Sequence, residues 1–98
     1  MFSRIAVVGN SMEPALHSGD WLVFRRTRRL RPGCLAVVRH PNRPDLVLVK
    51  RAVRSLPDGS WWVLGDNPTE SDDSRAFGPV SPEEILGRVV LRYRSGEH

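Results

Sequence analysis

The helical apolar period of about 3.6 residues is sustained nowhere along this chain; short apolar runs are cut instead by clusters of Gly, Pro, Asn, Asp and Ser. A chain punctuated in that way has no long amphipathic face for helix packing and must bury itself as strands joined by turns. The runs predict a mainly β fold, with strands over residues 5–8, 21–25, 35–39, 46–53, 61–64 and 87–93. Breaks fall at His17-Ser18-Gly19-Asp20, Arg31-Pro32-Gly33, His40-Pro41-Asn42-Arg43-Pro44 and Pro57-Asp58-Gly59. Ser81-Pro82-Glu83-Glu84-Ile85 has Ser at a cap position, Pro at the first helical position and acids in the first turn, so one short helical turn is expected there. The polar stretch 66–81 has no strand pattern, and loops of that length in a compact domain are usually functional or disordered.

At 98 residues the chain is sized for a single domain, residues 1–98, with one modest core. Its longest apolar runs, 5–8, 34–38 and 46–49, fall far short of the roughly 18 to 20 residues that cross a bilayer. Residues 1–8 lack the regions of a secretory signal. The expectation is a cytoplasmic protein, or a peripheral membrane protein if a longer chain has been trimmed. Cys34 is the only cysteine, which leaves no intrachain disulfide and no cysteine metal cluster; it reads as a small buried hydrophobe. The net charge is +4, and Arg25, Arg26, Arg28, Arg29 and Arg31 crowd into one segment. Nucleic acid and anionic lipid therefore stay open as partners, although no aromatic is interleaved to stack on bases. A solvated Arg-rich loop is the plainer reading.

Of the fifteen Lys plus Arg residues, Lys50 is the only lysine. Arginine stays protonated in proteins, whereas a buried lysine can lose its proton, so a site that needs a neutral amine can use Lys and not Arg. Lys50 ends the run Leu46-Val47-Leu48-Val49, a setting that strips water from the ammonium and lowers its pKa toward the range of a general base. Such a base needs a hydroxyl. The best candidate is Ser11 in Val8-Gly9-Asn10-Ser11-Met12-Glu13-Pro14, where Gly9 and Asn10 permit a tight turn and Pro14 blocks regular continuation. A turn of that kind can present both the nucleophile and an amide donor for an oxyanion. His17, His40 and His98 are expected at the surface, and the carboxylates do not form a metal-ligand spacing with them. No cofactor or metal is expected.

These residues resemble the type I signal peptidases and related serine–lysine endopeptidases. Gly9-Asn10-Ser11-Met12-Glu13-Pro14 with His17-Ser18-Gly19-Asp20 looks like the nucleophile box, and Arg31-Pro32-Gly33 leading into Leu35-Ala36-Val37-Val38-Arg39 is similar to the strand that follows. Val49-Lys50-Arg51 is similar to the lysine box, and Gly65-Asp66-Asn67 through Ser71-Asp72-Asp73-Ser74-Arg75 to Gly78-Pro79-Val80 follows a third. The resemblance implies a catalytic core of coiled antiparallel sheets, with Ser11 as nucleophile, Lys50 as base and Ser71 orienting the amine; the residues alone do not choose between Ser71 and Ser74. It also implies an Asp73–Arg75 pair and an Asp66–Arg51 pair that hold the loop, and an oxyanion hole at the Ser11 amide beside Gly9, where some relatives carry a hydroxyl.

The lack of an anchor helix, the absence of an inserted β-region and the ending Gly87-Arg88-Val89-Val90-Leu91-Arg92-Tyr93-Arg94 look like the small peptidases that trim the leader from nickel superoxide dismutase. The expected function is therefore removal of an N-terminal leader from that precursor. The alternatives are the catalytic core of a signal peptidase acting on exported preproteins, recruited to lipid by the Arg cluster, and an Arg-rich nucleic-acid-binding β-domain. A self-cleaving repressor shares the chemistry, but only ten residues precede Ser11.

Overall fold

The computed structural model describes residues 1–94. The strands are β1 (Phe2–Ala6), β2 (Asp20–Arg26), β3 (Leu35–His40), β4 (Arg43–Ser55), β5 (Trp61–Leu64) and β6 (Ile85–Arg94). They form one antiparallel six-stranded sheet in the order β1-β2-β6-β3-β4-β5. The mainly β expectation holds, with the strands gathered in a single sheet.

Coiling of this sheet follows from its irregularities. Register shifts fall between Val23 and Phe24, Val37 and Val38, Arg39 and His40, and within Ala52 to Arg54. Each extra residue bends its strand and increases the local twist. Gly87 permits the tightest approach in β6: a Cβ there would lie 2.3 Å from the Arg25 carbonyl oxygen and 2.5 Å from the Phe24 ring. Alternation along the strands divides the apolar residues between two cores. One contains Leu30, Ala36, Val38, Ala52, Val63 and Val80, with Cys34 only partly buried against it; the other joins Val7, Met12, Leu16 and Leu22.

The boundaries differ from the expected ones where pairing, rather than hydrophobicity, sets the strand. The β1 ladder starts at Phe2, because the Arg26 N–H reaches the Met1 carbonyl; it fades by Val8, which is 87% exposed. β4 begins at Arg43 and runs through Pro44, since His40 already pairs with Arg43 across a Pro41-Asn42 turn and this end of the strand is exposed, where a proline is tolerated. The helical turn expected after Ser81 is present as a 3-10 turn, Pro82–Glu84, closed by a capping box between Ser81 and Glu84. Two more short helical turns, Pro68–Glu70 and Ser74–Phe77 (α1), lie in the polar stretch after β5.

His40, expected at the surface, is buried at 5% exposure. The bulge at Arg39/His40 turns its ring inward against Phe77, at 4.7 Å between centroids. Its Nδ1 accepts the Asn42 N–H, so the ring proton sits on Nε2 and is donated to Asp72 at 2.9 Å. His98 lies outside the described residues. Among those residues, no helix is long and apolar enough to cross a membrane.

Candidate active site

Ser11 sits in the loop between β1 and β2, which is pinned from below by Met12 and Leu16, each 2% exposed in the second core. The loop closes on itself through Leu16 N–H to the Met12 carbonyl at 2.9 Å. From above it is held by the segment after β5. Asn67 N–H donates to the Ser11 carbonyl at 2.8 Å and the Asn67 side-chain amide to the Asn10 carbonyl at 3.0 Å, while Asp66 N–H approaches Met12 Sδ at 3.4 Å. Gly9 precedes this clamp at the surface with φ of +88°, a backbone state suited to glycine.

Gly65 is where the two segments touch. A Cβ there would lie 2.0 Å from Ser71 Oγ, 2.5 Å from Ser71 Cβ and 2.8 Å from the Ser11 carbonyl oxygen. Backbone and a short, packed side chain cannot both retreat, so Gly65→Ala is expected to cost about 2–3 kcal/mol of stability, as overpacked sites do. Urea unfolding of the two proteins checks this. A variant as stable as the parent would show that the clamp is loose.

Lys50 reaches the same place from β4, opposite Ala36 of β3. It is 2% exposed and is the largest of the fully buried side chains among the described residues. Its Nζ donates to Ser71 Oγ at 3.0 Å, and Ser71 Oγ donates onward to Asp73 Oδ2 at 2.9 Å. Burial is the main influence that lowers the Lys50 pKa from its ordinary 10.5; the carboxylates of Asp73 and Asp72 oppose it, and the Arg75 cation adds to the lowering.

Asp73 offsets the effect of burial on Lys50 only in part, and its charge is shared with other partners. It is 1% exposed, and it accepts from Gly65 N–H at 2.8 Å, from Arg75 N–H at 3.1 Å and from the Arg75 guanidinium at 3.0 and 2.6 Å. Burial by itself would raise the Asp73 pKa; the hydrogen bonds from Arg75, Gly65 and Ser71 outweigh it and hold the carboxyl well below the usual range. Asp72 is occupied by His40. Arg51 is paired as well: its guanidinium grips Asp66 at 2.6 and 3.3 Å and donates to the Gly33 carbonyl at 3.1 Å. The hydrogen bond that Arg51 donates to Asp66 is the main cause of a raised Arg51 pKa.

Ser11 and Lys50 line one cleft of ≈ 370 Å³, together with Ile5, Val7, Leu46 and Leu48. The geometry separates the two serines that the sequence left open. Ser71 Oγ receives Lys50, whereas Ser74 Oγ faces away and accepts the Val63 N–H at 2.9 Å.

Beyond the pairing with Arg75 that the resemblance implies, Asp73 accepts a bond from Ser71 that was not expected. The spacing held the signal: Ser71 and Asp73 are both extended, at φ −116° and −143°, and residues two apart on extended backbone project to the same side. Gly65, Met12 and the His40–Asp72 contact carried no comparable signal, because each acts on a residue distant in the chain.

Residues 4–90 match the Peptidase S24-like family model. The chain is 29% identical to mitochondrial inner membrane protease subunit 2 of Schizosaccharomyces pombe, over 86% of this chain and 60% of that protein. It is 33% identical to mitochondrial ATP-independent inner membrane protease subunit 1b of Arabidopsis thaliana, over 86% of this chain and 65% of that protein. Signal peptidase IB of Staphylococcus aureus is 47% identical over a shorter stretch, 39% of this chain and 20% of that protein. The chain thus spans under two thirds of the length of these relatives. A family match that runs from β1 into β6, consistent with relatives named as signal and inner membrane peptidases, establishes that this chain belongs to the Peptidase S24-like family.

Proposed function

We propose that the chain is a serine endopeptidase in which Ser11 is the nucleophile and Lys50, as a neutral amine, is the general base. The observation that carries this reading is the buried Lys50 amine, which shares a cleft with Ser11 and is fixed by Ser71. Lys50 Nζ takes the Ser11 hydroxyl proton as Oγ attacks the scissile carbonyl. The oxyanion that forms accepts the Ser11 backbone N–H; Gly9 offers no side-chain donor there, so backbone or water completes the hole. The Lys50 ammonium then gives its proton to the departing amine as the C–N bond breaks. Water, deprotonated by the same amine, cleaves the acyl-enzyme and restores Ser11.

Ser71 is a positioning residue: it accepts from Lys50 and donates to Asp73, which Arg75 keeps ionised, so the lone pair of Nζ is left for the nucleophile. β1 is an edge strand, and residues 46–50 of β4 have β3 on one side with no strand on the other among the described residues. An extended peptide entering the cleft can hydrogen-bond to these free edges.

The substrate assigned here is a precursor with an N-terminal leader, and among such proteins the nickel superoxide dismutase precursor. Its support is the compact six-stranded core and the β6 ending noted above. Exported preproteins are the second reading, favoured by the relative named as a signal peptidase.

Intact-mass spectrometry of the nickel superoxide dismutase precursor incubated with the protein tests the assignment. A single truncation at the leader junction, absent with Ser11→Ala, is the expected result. Cleavage that persists at an undiminished rate in Ser11→Ala would remove the mechanism. A second set of reactions with a signal-bearing preprotein separates the two substrates. Activity is also expected to rise with pH as Lys50 loses its proton, with a midpoint below 10.5; a flat profile from mildly acidic to alkaline pH would count against a lysine base.

A further inference from the structure

Away from the Ser11 cleft, a larger hollow of ≈ 540 Å³ opens where the β2 end, the loop that follows it and β6 converge. Arg25, Arg28, Arg29, Arg31 and Arg88 line it, with the Thr27 side chain beside them. No carboxylate lines the hollow, and none of these five arginines makes a salt bridge with any of the described residues. Arg88 comes from far along the chain and is placed here by its register opposite Arg25. Arg26 lines only a neighbouring hollow, which Arg28 borders as well and which contains Glu83, whose carboxyl the Arg28 charge helps to keep ionised; no carboxylate lines either hollow beside Arg25, Arg29, Arg31 or Arg88. The charge cluster visible in the sequence is therefore rebuilt in three dimensions: it loses one arginine, gains another, and becomes concave.

We propose that this hollow binds a phosphate-bearing anion. Five like charges held around a small cavity repel one another, Glu83 offsets only that of Arg28, and a bound multivalent anion relieves the repulsion that remains. The volume falls in the range of small-ligand sites, about 300–1,000 Å³, too small for a run of acidic residues with enough carboxylates to balance five cations. A phosphate group carries roughly 1.5 to 2 negative charges on three acceptor oxygens and matches the planar fork of guanidinium bidentately.

Nucleic acid fits less well. The floor is Leu30 and Trp61, at 9% and 8% exposure, so the one aromatic present offers no open face on which bases can stack. The phosphate can come from a free polyphosphate or from a lipid headgroup. The second source is worth testing because Met1 and Phe2, 88% and 61% exposed, lie beside Arg26 and Arg25. The inference does not depend on the peptidase reading, and its test does not use cleavage.

The test is calorimetric titration of the full chain with inorganic tripolyphosphate, run beside co-sedimentation with phosphatidylcholine vesicles that contain or lack phosphatidic acid. Two variants are compared: Arg28→Gln/Arg88→Gln in the hollow, and Arg39→Gln/Arg43→Gln in the β3–β4 hairpin, which removes the same charge elsewhere. Saturable binding of one tripolyphosphate per chain, weakened at least tenfold by the first variant and by less than twofold by the second, is expected and assigns a free anion. Binding confined to phosphatidic acid vesicles, with the same dependence on Arg28 and Arg88, supports the site and assigns a headgroup. Equal weakening in the two variants would reduce the effect to net charge and overturn the proposal. So would the absence of binding to either probe, or a single-stranded oligonucleotide binding more tightly than tripolyphosphate at equal phosphate concentration.

Discussion

Lys50→Met protein is expected to fold normally and to lose peptide cleavage by about a thousandfold or more, since both the base and the later proton donor disappear. Lys50→Arg should be as inactive, because a guanidinium keeps its proton at any accessible pH and cannot accept one from Ser11. Acylation of Ser11 by an electrophilic probe, read by intact mass, gives a measure of nucleophile activation that does not depend on knowing the substrate. Labelling at the parental rate in either variant would exclude Lys50 as the base.

Stability supplies a second readout. Methionine fills much of the volume of the lysine stem without an amine to desolvate, so Lys50→Met is expected to be at least as stable as the parent at neutral pH. The sign follows from the lowered pKa. In the window between the folded pKa of Lys50 and its ordinary 10.5, the unfolded chain binds the proton and the folded chain does not, so parental stability rises with pH. The advantage of the methionine variant is therefore full below that window and shrinks across it. An advantage that grew with pH would mean that the amine is stabilised as a cation.

Asp73→Ala is expected to be the most damaging single change to the fold. It strands the Gly65 N–H, frees Ser71 and Arg75, and uncaps α1. Breaking a buried, charge-assisted cluster costs about 3–5 kcal/mol, and the lower end applies because Arg75 is 47% exposed and can turn to water. Urea unfolding against pH checks both size and sign. The folded-state pKa of Asp73 is depressed, so its contribution is present in full above the ordinary 3.8 and is lost as pH falls through the folded value. The gap between parent and variant should hold steady near neutrality and narrow in strong acid. A gap below about 1 kcal/mol at neutral pH would mean that the cluster is solvated.

Much of this was legible in the chain. Apolar runs bounded by turn residues announced strands, and four of the six lie within two residues of their expected starts; β1 was displaced because backbone pairing with β2, rather than the apolar run 5–8, sets its start, and β4 because its pairing with β3 already begins at Arg43. The lone lysine at the end of an apolar run announced a buried amine, because a desolvated cation has a local signature. His40 was misplaced: a turn motif describes backbone, and only the bulge and the Phe77 ring decide which way the side chain points.

Local interactions are written in neighbouring residues, so strands, turns and the Lys50 environment can be read from the sequence. Contacts that join distant segments depend on how the strands of the sheet pair and bend. That Gly65 presses between Ser11 and Ser71, that Asp72 is tethered by His40, and that Arg88 completes a cationic hollow begun by Arg25 were decided by tertiary structure alone, because registry across strands and bulges, rather than order along the chain, brings those groups within reach.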